Sequence, residues 1–155
     1  MVKKILVPLD GSREAEAVLP EAVQLAECCG AELLLLQVAF AHVFPGLDPT
    51  EEEVQVIGNA EGYLAEVAKR LTGSGLPVRT AVRYGRPIAQ ILDHIASKGV
   101  DMVAMSTHGR SGLRHLVMGS VAEAVVRRAA VPVLLLRPRA EQWEPADGAA
   151  ARAHL

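Results

Sequence analysis

The sequence is poor in aromatic residues, which make up only 3% of its 155 residues. Half of the chain is hydrophobic, so a core must be assembled from Val, Leu, Ile and Ala. Aliphatic runs of this kind are typical of the buried strands of α/β proteins. The shortage of aromatics also excludes a stacking surface for nucleic-acid bases, and a net charge of −2 gives no basic surface for DNA or RNA. We therefore expect no nucleic-acid partner.

Long hydrophobic segments are also lacking. No apolar segment approaches the ~18 residues that a membrane-spanning helix requires. The N-terminal stretch VKKILVPLD contains two lysines, but its apolar run is short and ends at Asp10. This pattern indicates a first strand rather than a signal peptide. The sequence therefore predicts a cytoplasmic protein without a membrane partner.

Cysteine is scarce as well, since Cys28 and Cys29 are the only two and are adjacent. A metal site or a thioredoxin-like site would need C-x-x-C spacing. Neighbouring cysteines rarely pair, because the geometry strains the disulfide. Free cysteine tends to be buried, so we predict packing at a helix end, with redox sensing as the alternative.

The chain does contain a regular alternation of apolar strands and helical segments, in the order β-α-β-α-β-α-β-α-β. In the first helical segment, Pro20 should bend the helix or remove one bond, and Gly30 should end it. The alternation predicts one domain with a parallel sheet and helices on both faces. Such sheets bind ligands at the carboxyl ends of the strands, where the strand order reverses. Two strand ends stand out, at Asp10 and at Met105 and Ser106.

The connection after the fourth strand, STHGRSGLRHLVMGSVAEA at residues 106–124, has the composition of an anion site. Gly119 and Ser120 stand at a helix start, where backbone N–H groups lack internal partners and the helix dipole is positive. Gly109 and Gly112 would allow the backbone to approach a ligand closely and to adopt positive φ angles. Basic residues add donors and charge: His108, Arg110 and Arg114. A phosphate chain suits this combination.

Other interpretations of these residues stay open. Ser120 and Glu123 also fit a capping box, in which Ser120 only caps its helix, and an inward-facing Glu123 would oppose a phosphate. The motifs G-x-G-x-x-G and G-x-x-x-x-G-K followed by Ser or Thr are absent. Asp10 could be a nucleophile or a metal ligand, but VPLDGS offers no second carboxylate, which favours a turn or a ribose contact. The histidines do not form a metal pattern.

The loop resembles the ATP-binding loop of the universal stress protein family. In that family a glycine is followed, after two residues, by a second glycine and, after nine more, by Gly-Ser or Gly-Thr. Here the corresponding residues are Ser106, Gly109, Gly119 and Ser120. ILVPLDGS is similar to the family's first strand and turn, and VPVLLLRP is similar to its last strand. The resemblance extends over roughly residues 1–138.

The resemblance implies a Rossmann-like fold of the adenine nucleotide alpha hydrolase type. It has an open five-stranded parallel sheet in the order 3-2-1-4-5, with helices on both faces. The family domain would cover residues 1–139. Residues 140–155 are rich in Ala, Glu and Arg without a strong period, and this composition predicts a C-terminal tail that is mobile or forms an accessory segment. The resemblance also implies a homodimer in which the last strand, Val131 to Arg137, meets its copy across a two-fold axis.

The resemblance further implies which residues contact a nucleotide. Val38 and Asp10 would hold adenine and ribose, the end of the fourth strand would follow the ribose and inner phosphates, and the helix start would take the outer phosphates. Mg²⁺ or Mn²⁺ would bridge the phosphates, without a metal site made by the protein. The expected site residues are Pro8, Leu9, Asp10, Val38, Met105, Ser106, His108, Gly109, Arg110, Gly112, Gly119, Ser120, Val121 and Ala122.

Ser106 departs from the family pattern, because the first motif glycine is replaced. A positive φ angle would carry a steric cost for serine, whereas a position beside the ribose would accept it.

The leading hypothesis is a dimeric, ATP-binding stress-response regulator with an unknown protein partner. We expect little or no turnover, because no lysine, catalytic carboxylate or arginine finger is evident. The alternatives are a nucleotide-free dimeric interaction module, which Ser106 favours, and a slow ATPase.

Overall fold

The computed structural model describes residues 1–40, 49–109 and 118–139, so the predicted tail at 140–155 lies outside the described residues. The strands are β1 (Lys4–Leu9), β2 (Glu32–Ala39), β3 (Val78–Tyr84), β4 (Met102–Ser106) and β5 (Val133–Leu136). The α-helices are α1 (Arg13–Glu16), α2 (Leu19–Cys29), α3 (Pro49–Leu71), α4 (Pro87–Ser97) and α5 (Ser120–Arg128), and a 3-10 turn at Thr72–Ser74 follows α3. Within these ranges, no helix is both long and apolar enough to cross a membrane.

The strands form one parallel sheet in the order β3-β2-β1-β4-β5. The central strand β1 has β2 on one side and β4 on the other, with Leu6 opposite both Leu34 and Val103. The chain moves from β1 through β2 to β3, then crosses back to β4 and β5 on the other side of β1. This arrangement confirms the predicted fold class and places the reversal of strand order between β1 and β4.

The core consists of two buried clusters, one on each face of the sheet. Successive strand residues point to opposite faces, so Val7 joins a cluster with Leu64 of α3. Leu6 joins the other cluster, together with Ile91 of α4 and Val125 of α5. The sheet is therefore covered by α1, α2 and α3 on one face and by α4 and α5 on the other.

The first helical segment differs from the prediction of one helix interrupted by a proline, which is wrong. The segment is divided into α1 and α2, and Pro20 lies in the first turn of α2. A proline at this position loses no intrahelical hydrogen bond, because the first turn's N–H groups have no internal acceptor. Ser12 caps α1 by accepting from the Ala15 N–H at 3.1 Å. Gly30 ends α2 with a φ angle of 63°, as predicted.

The two adjacent cysteines lie at the end of α2 and are both free. Cys29 packs against the core, which agrees with the predicted role in packing. Cys28 is exposed, so that prediction is wrong for one of the two side chains.

Candidate functional site

A cleft opens at the carboxyl ends of β1, β2 and β4, beside the reversal of strand order. Its volume is about 290 Å³. α4 and α5 contribute lining residues from one face of the sheet, and Ala15 of α1 contributes one from the other face. Arg110 and Gly112 lie outside the described residues. The cleft is lined by the other predicted site residues: Pro8, Leu9, Asp10, Val38, Met105, Ser106, His108, Gly109, Gly119, Ser120, Val121 and Ala122.

Sequence reasoning missed five further lining residues: Ala15, Leu36, Thr107, Pro87 and Ile91. Leu36 could have been found, because it lies two residues before Val38 and therefore on the same face of β2. Thr107 lies between two residues that were predicted. Pro87 and Ile91 come from α4, and no local signal in the sequence links that helix to the loop after β4.

Asp10 forms a tight turn directly after β1. Its Oδ1 accepts hydrogen bonds from the Ser12 N–H at 2.9 Å and from the Ser12 hydroxyl at 2.5 Å. Gly11 between them has a φ angle of 85°, which favours glycine. The same serine caps α1, so the carboxylate of Asp10 and the start of α1 are held by one side chain.

Gly109 lies against this carboxylate. A Cβ atom added at Gly109 would collide with the Asp10 Oδ2 and would lie 3.3 Å from its Cγ. Gly109 is not among the described glycines with positive φ, so the prediction of a left-handed conformation at this glycine is wrong. The structure instead requires glycine here for space, because β1 and β4 end side by side.

Ser106 is an ordinary residue at the end of β4, paired with Leu136 of β5. Within residues 1–40, 49–109 and 118–139, no residue other than glycine has a positive φ angle. The replacement of the family's glycine by Ser106 therefore carries no backbone strain. Its hydroxyl oxygen accepts a hydrogen bond from the His108 N–H at 3.3 Å.

Thr107 ties both ends of the loop to the sheet. Its N–H donates to the Leu136 carbonyl at 2.8 Å, and its carbonyl accepts from the Gly119 N–H at 2.7 Å. Its hydroxyl shares a hydrogen bond with the His108 Nδ1 at 2.8 Å. The carbonyl contact brings the start of α5 directly beside the end of β4.

The first turn of α5 presents backbone donors to the cleft. Its N-cap is Gly119, and the first intrahelical bond runs from the Glu123 N–H to the Gly119 carbonyl at 2.9 Å. The N–H groups of residues 120–122 therefore have no acceptor within the helix, and the helix dipole is positive at this end. Such a helix start is suited to bind an anion.

The capping-box interpretation of α5 is wrong. Ser120 is the first residue of the helix rather than its cap, and it is exposed. Glu123 is also exposed, and its Oε1 pairs with the Arg127 guanidinium at 3.0 Å. Because Glu123 does not line the cleft, its charge is kept away from the donors of the helix start.

The cleft thus has two different walls. We call residues 106–109 and 119–122 the polar wall, and Leu36, Val38, Pro87 and Ile91 the apolar wall. The polar wall offers hydroxyl groups and backbone N–H groups, whereas the apolar wall offers aliphatic surface. Asp10 stands between the walls, at the end of β1.

A buried histidine lies behind the apolar wall, one helical turn beyond Ile91. His94 is 2% exposed, and its Nδ1 accepts from the Arg83 Nε at 3.3 Å. Arg83 also pairs with Asp93 at 3.3 Å. Burial lowers the pKa of His94, and the positive charges of Arg83 and Lys98 lower it further. Its Nε2 is buried and has no hydrogen-bond partner among the described residues.

The part of the chain that the structure describes contains no cluster of three His, Cys, Asp or Glu side chains that could hold a metal ion.

The fold has close counterparts among solved structures. MJ0577 of Methanocaldococcus jannaschii superposes with a TM-score of 0.80 at 28% identity, over 90% of this chain and 98% of that chain. Two structures with lower identity share the fold. A universal stress protein in complex with cAMP has a TM-score of 0.67 at 21% identity, over 87% of this chain and 97% of that chain. A universal stress protein family protein of Arabidopsis thaliana with AMP bound has a TM-score of 0.69 at 17% identity, over 94% of this chain and 97% of that chain.

The sequence comparisons agree with the structural ones. The sequence model of the universal stress protein family matches residues 1–137. Universal stress protein MJ0531 of Methanocaldococcus jannaschii is 32% identical over 142 residues, which cover 88% of this chain and 83% of that protein. Together with the five-stranded sheet, the match over nearly the whole chain shows that it belongs to the universal stress protein family.

Proposed function

We propose that this chain binds ATP in the cleft and acts as a dimeric regulator with little or no catalytic turnover. The observation that carries the proposal is the first turn of α5, because residues 120–122 line the same cleft as an aliphatic wall and have N–H groups without an acceptor in the helix. Donors at a helix start suit a phosphate chain. An apolar wall with few polar groups suits a flat base, as in most small-molecule sites. A nucleotide combines both requirements in one ligand.

The two complexes described above support an adenine nucleotide. The fold is shared with a universal stress protein that binds cAMP and with an Arabidopsis thaliana protein that binds AMP. We assign adenine to the apolar wall, the ribose to Asp10 and Ser106, and the phosphates to the polar wall. ATP rather than AMP is proposed because the polar wall has two parts, the end of β4 and the start of α5, which can follow successive phosphates.

We propose that Mg²⁺ or Mn²⁺ enters with the nucleotide, coordinated by phosphate oxygens. Mg²⁺ is commonly held in this way, with few protein ligands and several waters. Slow or absent hydrolysis is supported by the state of Asp10, whose Oδ1 already accepts two hydrogen bonds from Ser12. A carboxylate held in a turn in this way is better suited to contact a sugar than to activate water.

Calorimetric titration of nucleotide-stripped protein with Mg-ATP, AMP and cAMP tests the proposal. We expect one ATP per chain, with AMP and cAMP binding more weakly because they contact less of the polar wall. Absence of heat at millimolar ATP, with folded protein confirmed by circular dichroism, would favour the nucleotide-free interaction module instead. Phosphate release well above background, lost in Asp10→Ala, would favour the slow ATPase.

We also propose that the chain forms a homodimer through β5 and its flanks, Val131 to Arg137. β5 is an edge strand, and its four residues Val133 to Leu136 are all apolar and only half-buried. The opposite edge strand, β3, is different, because Arg79 pairs with Glu32 at 3.0 Å and Arg83 pairs with Asp93. Charged residues on an edge strand discourage pairing with another chain, whereas an apolar edge permits it.

One lysine substitution on each edge strand tests the dimer. Leu134→Lys places a charge in the middle of β5, and Thr80→Lys places the same charge on exposed β3. We expect light scattering to show a dimer for the wild type and for Thr80→Lys, and a folded monomer for Leu134→Lys. A dimer that survives Leu134→Lys would contradict this interface.

The cytoplasmic location, the protein partner, and the division into a domain at 1–139 and a tail at 140–155 stay predictions from the sequence.

A further inference from the structure

The short helix α1 depends on contacts outside itself. It has only four residues, and a helix of this length is not stable alone. Its start is held by Ser12, which also holds the Asp10 carboxylate. Ala15 of α1 is buried and lines the cleft. Any shift of α1 would therefore move both Ala15, which lines the cleft, and Ser12, which orients the Asp10 carboxylate.

The end of α1 is fixed by a clamp on α3. The Glu16 Oε1 accepts from the Tyr63 hydroxyl at 2.8 Å, and its Oε2 accepts from the Arg70 guanidinium at 2.7 Å. Tyr63 and Arg70 are seven residues apart, which places them on the same side of α3. Both oxygens of the Glu16 carboxylate are thus engaged by a long helix, and the Glu16 side chain is only 20% exposed.

The clamp lies within electrostatic reach of Asp10. Burial raises the pKa of Tyr63, the hydrogen bond to Glu16 raises it further, and the negative charge of Asp10 adds to the effect. Tyr63 therefore remains a neutral phenol that can donate to Glu16. A continuous set of contacts runs from α3 through Glu16, α1 and Ser12 to Asp10.

We propose that Glu16, held by Tyr63 and Arg70, is a positioning residue that fixes the Asp10 carboxylate for the sugar of the bound nucleotide. This inference rests on the proposed function. It differs from a purely structural role in one consequence: weakening the clamp should reduce binding only of ligands whose sugar hydroxyls can donate to Asp10.

The test compares Mg-ATP with Mg-2′,3′-dideoxy-ATP, which lacks both ribose hydroxyls, in wild type and Tyr63→Phe. The substitution removes one hydroxyl and keeps the ring, so the protein should stay folded with a lower melting temperature, and thermal melting checks this before binding is measured. We expect the Kd for ATP to rise about fivefold in Tyr63→Phe and the Kd for dideoxy-ATP to change less than about twofold. Tyr84→Phe is the matched control, since Tyr84 lies on β3 outside the clamp and is 37% exposed. It should leave both Kd values unchanged.

A double-mutant cycle separates the outcomes. In an Asp10→Ala background, Tyr63→Phe should no longer change the affinity for ATP. An equal loss for both ligands, a loss that persists without Asp10, or equal affinity of the wild type for both ligands would overturn the positioning role alone. Wild-type protein that binds neither ligand would overturn the positioning role together with the proposed function.

Discussion

The two walls of the cleft are built by different parts of the chain. The apolar wall is made of aliphatic side chains on β2 and α4. The polar wall is made largely of backbone groups at places where regular structure stops, the end of β4 and the start of α5. A wall of aliphatic side chains tolerates small changes of shape. A wall of backbone N–H groups depends on close approach, so a single added Cβ atom should disturb it more.

Gly109→Ala, which adds a Cβ atom to the polar wall, should cause the largest loss of nucleotide affinity. The new Cβ atom would collide with the Asp10 carboxylate, which cannot rotate away without losing its hydrogen bonds to Ser12. We expect the Kd for Mg-ATP to rise about 100-fold, equivalent to about 2.7 kcal/mol. Gly73→Ala is the control, since its added Cβ atom would meet nothing within 4 Å. Calorimetry showing the same affinity in both variants would mean that Asp10 and Gly109 do not shape the nucleotide site.

Gly119→Ala should cause a smaller loss of affinity, and only for ligands that carry phosphates. Its Cβ atom would lie 3.2 Å from the Thr107 carbonyl oxygen, so α5 must shift by a few tenths of an ångström. We expect the affinity for Mg-ATP to fall about tenfold, or about 1.4 kcal/mol. The affinity for adenosine should change less than about twofold, because adenosine has no phosphate to meet the helix start. Equal losses for ATP and adenosine would place Gly119 away from the phosphates.

The apolar wall is probed by Ile91→Val, with Ile95→Val as its match. Both isoleucines lie on α4 in the same buried cluster, but only Ile91 lines the cleft. Each substitution should lower the free energy of unfolding by about 1 kcal/mol in urea titrations. Ile91→Val should also weaken ATP and adenosine equally, by about twofold, since about 0.4 kcal/mol of contact is lost. Changed nucleotide affinity in Ile95→Val would show that packing of α4, not contact with the base, sets the effect.

The two walls were not equally predictable from sequence. The polar wall could be predicted because its residues follow one another in the loop after β4 and at the start of α5. Even there, the sequence did not reveal that Gly119 is the N-cap or that Gly109 is required for space. Those facts depend on Asp10 and Thr107, which approach the glycines only in the folded chain.

The apolar wall was largely missed for a related reason. Val38 was predicted through the family resemblance, but Ile91 belongs to a helix whose apolar positions look alike in sequence. Its neighbour Ile95 belongs to the same buried cluster without reaching the cleft. Which of them lines a site depends on how α4 lies across the sheet. The break between α1 and α2 had a signal in Pro20, but the sequence did not decide between a bend and a new helix start.

The smallest expected effect on stability comes from protonation of His94, which packs behind the apolar wall. The pKa of His94 is lowered in the folded protein, so the folded state binds its proton at lower pH than the unfolded state does. Stability from neutral His94 is therefore present above the unfolded pKa of about 6.5 and is lost progressively as the pH falls below it. Protonation would also oppose the Arg83 hydrogen bond, because Nδ1 could no longer accept.

Urea titrations at pH 7.5 and 6.0 measure this effect. We expect the free energy of unfolding of the wild type to fall by at most about 0.8 kcal/mol from this histidine alone. His94→Gln is the matched variant, because an amide oxygen can still accept from Arg83 but does not titrate. Carboxylates and the other histidines contribute equally to both proteins, so the difference between their pH responses isolates His94. If the free energy of unfolding changes equally with pH in the two proteins, folding does not lower the His94 pKa. The packing behind the apolar wall then does not depend on the protonation of this histidine.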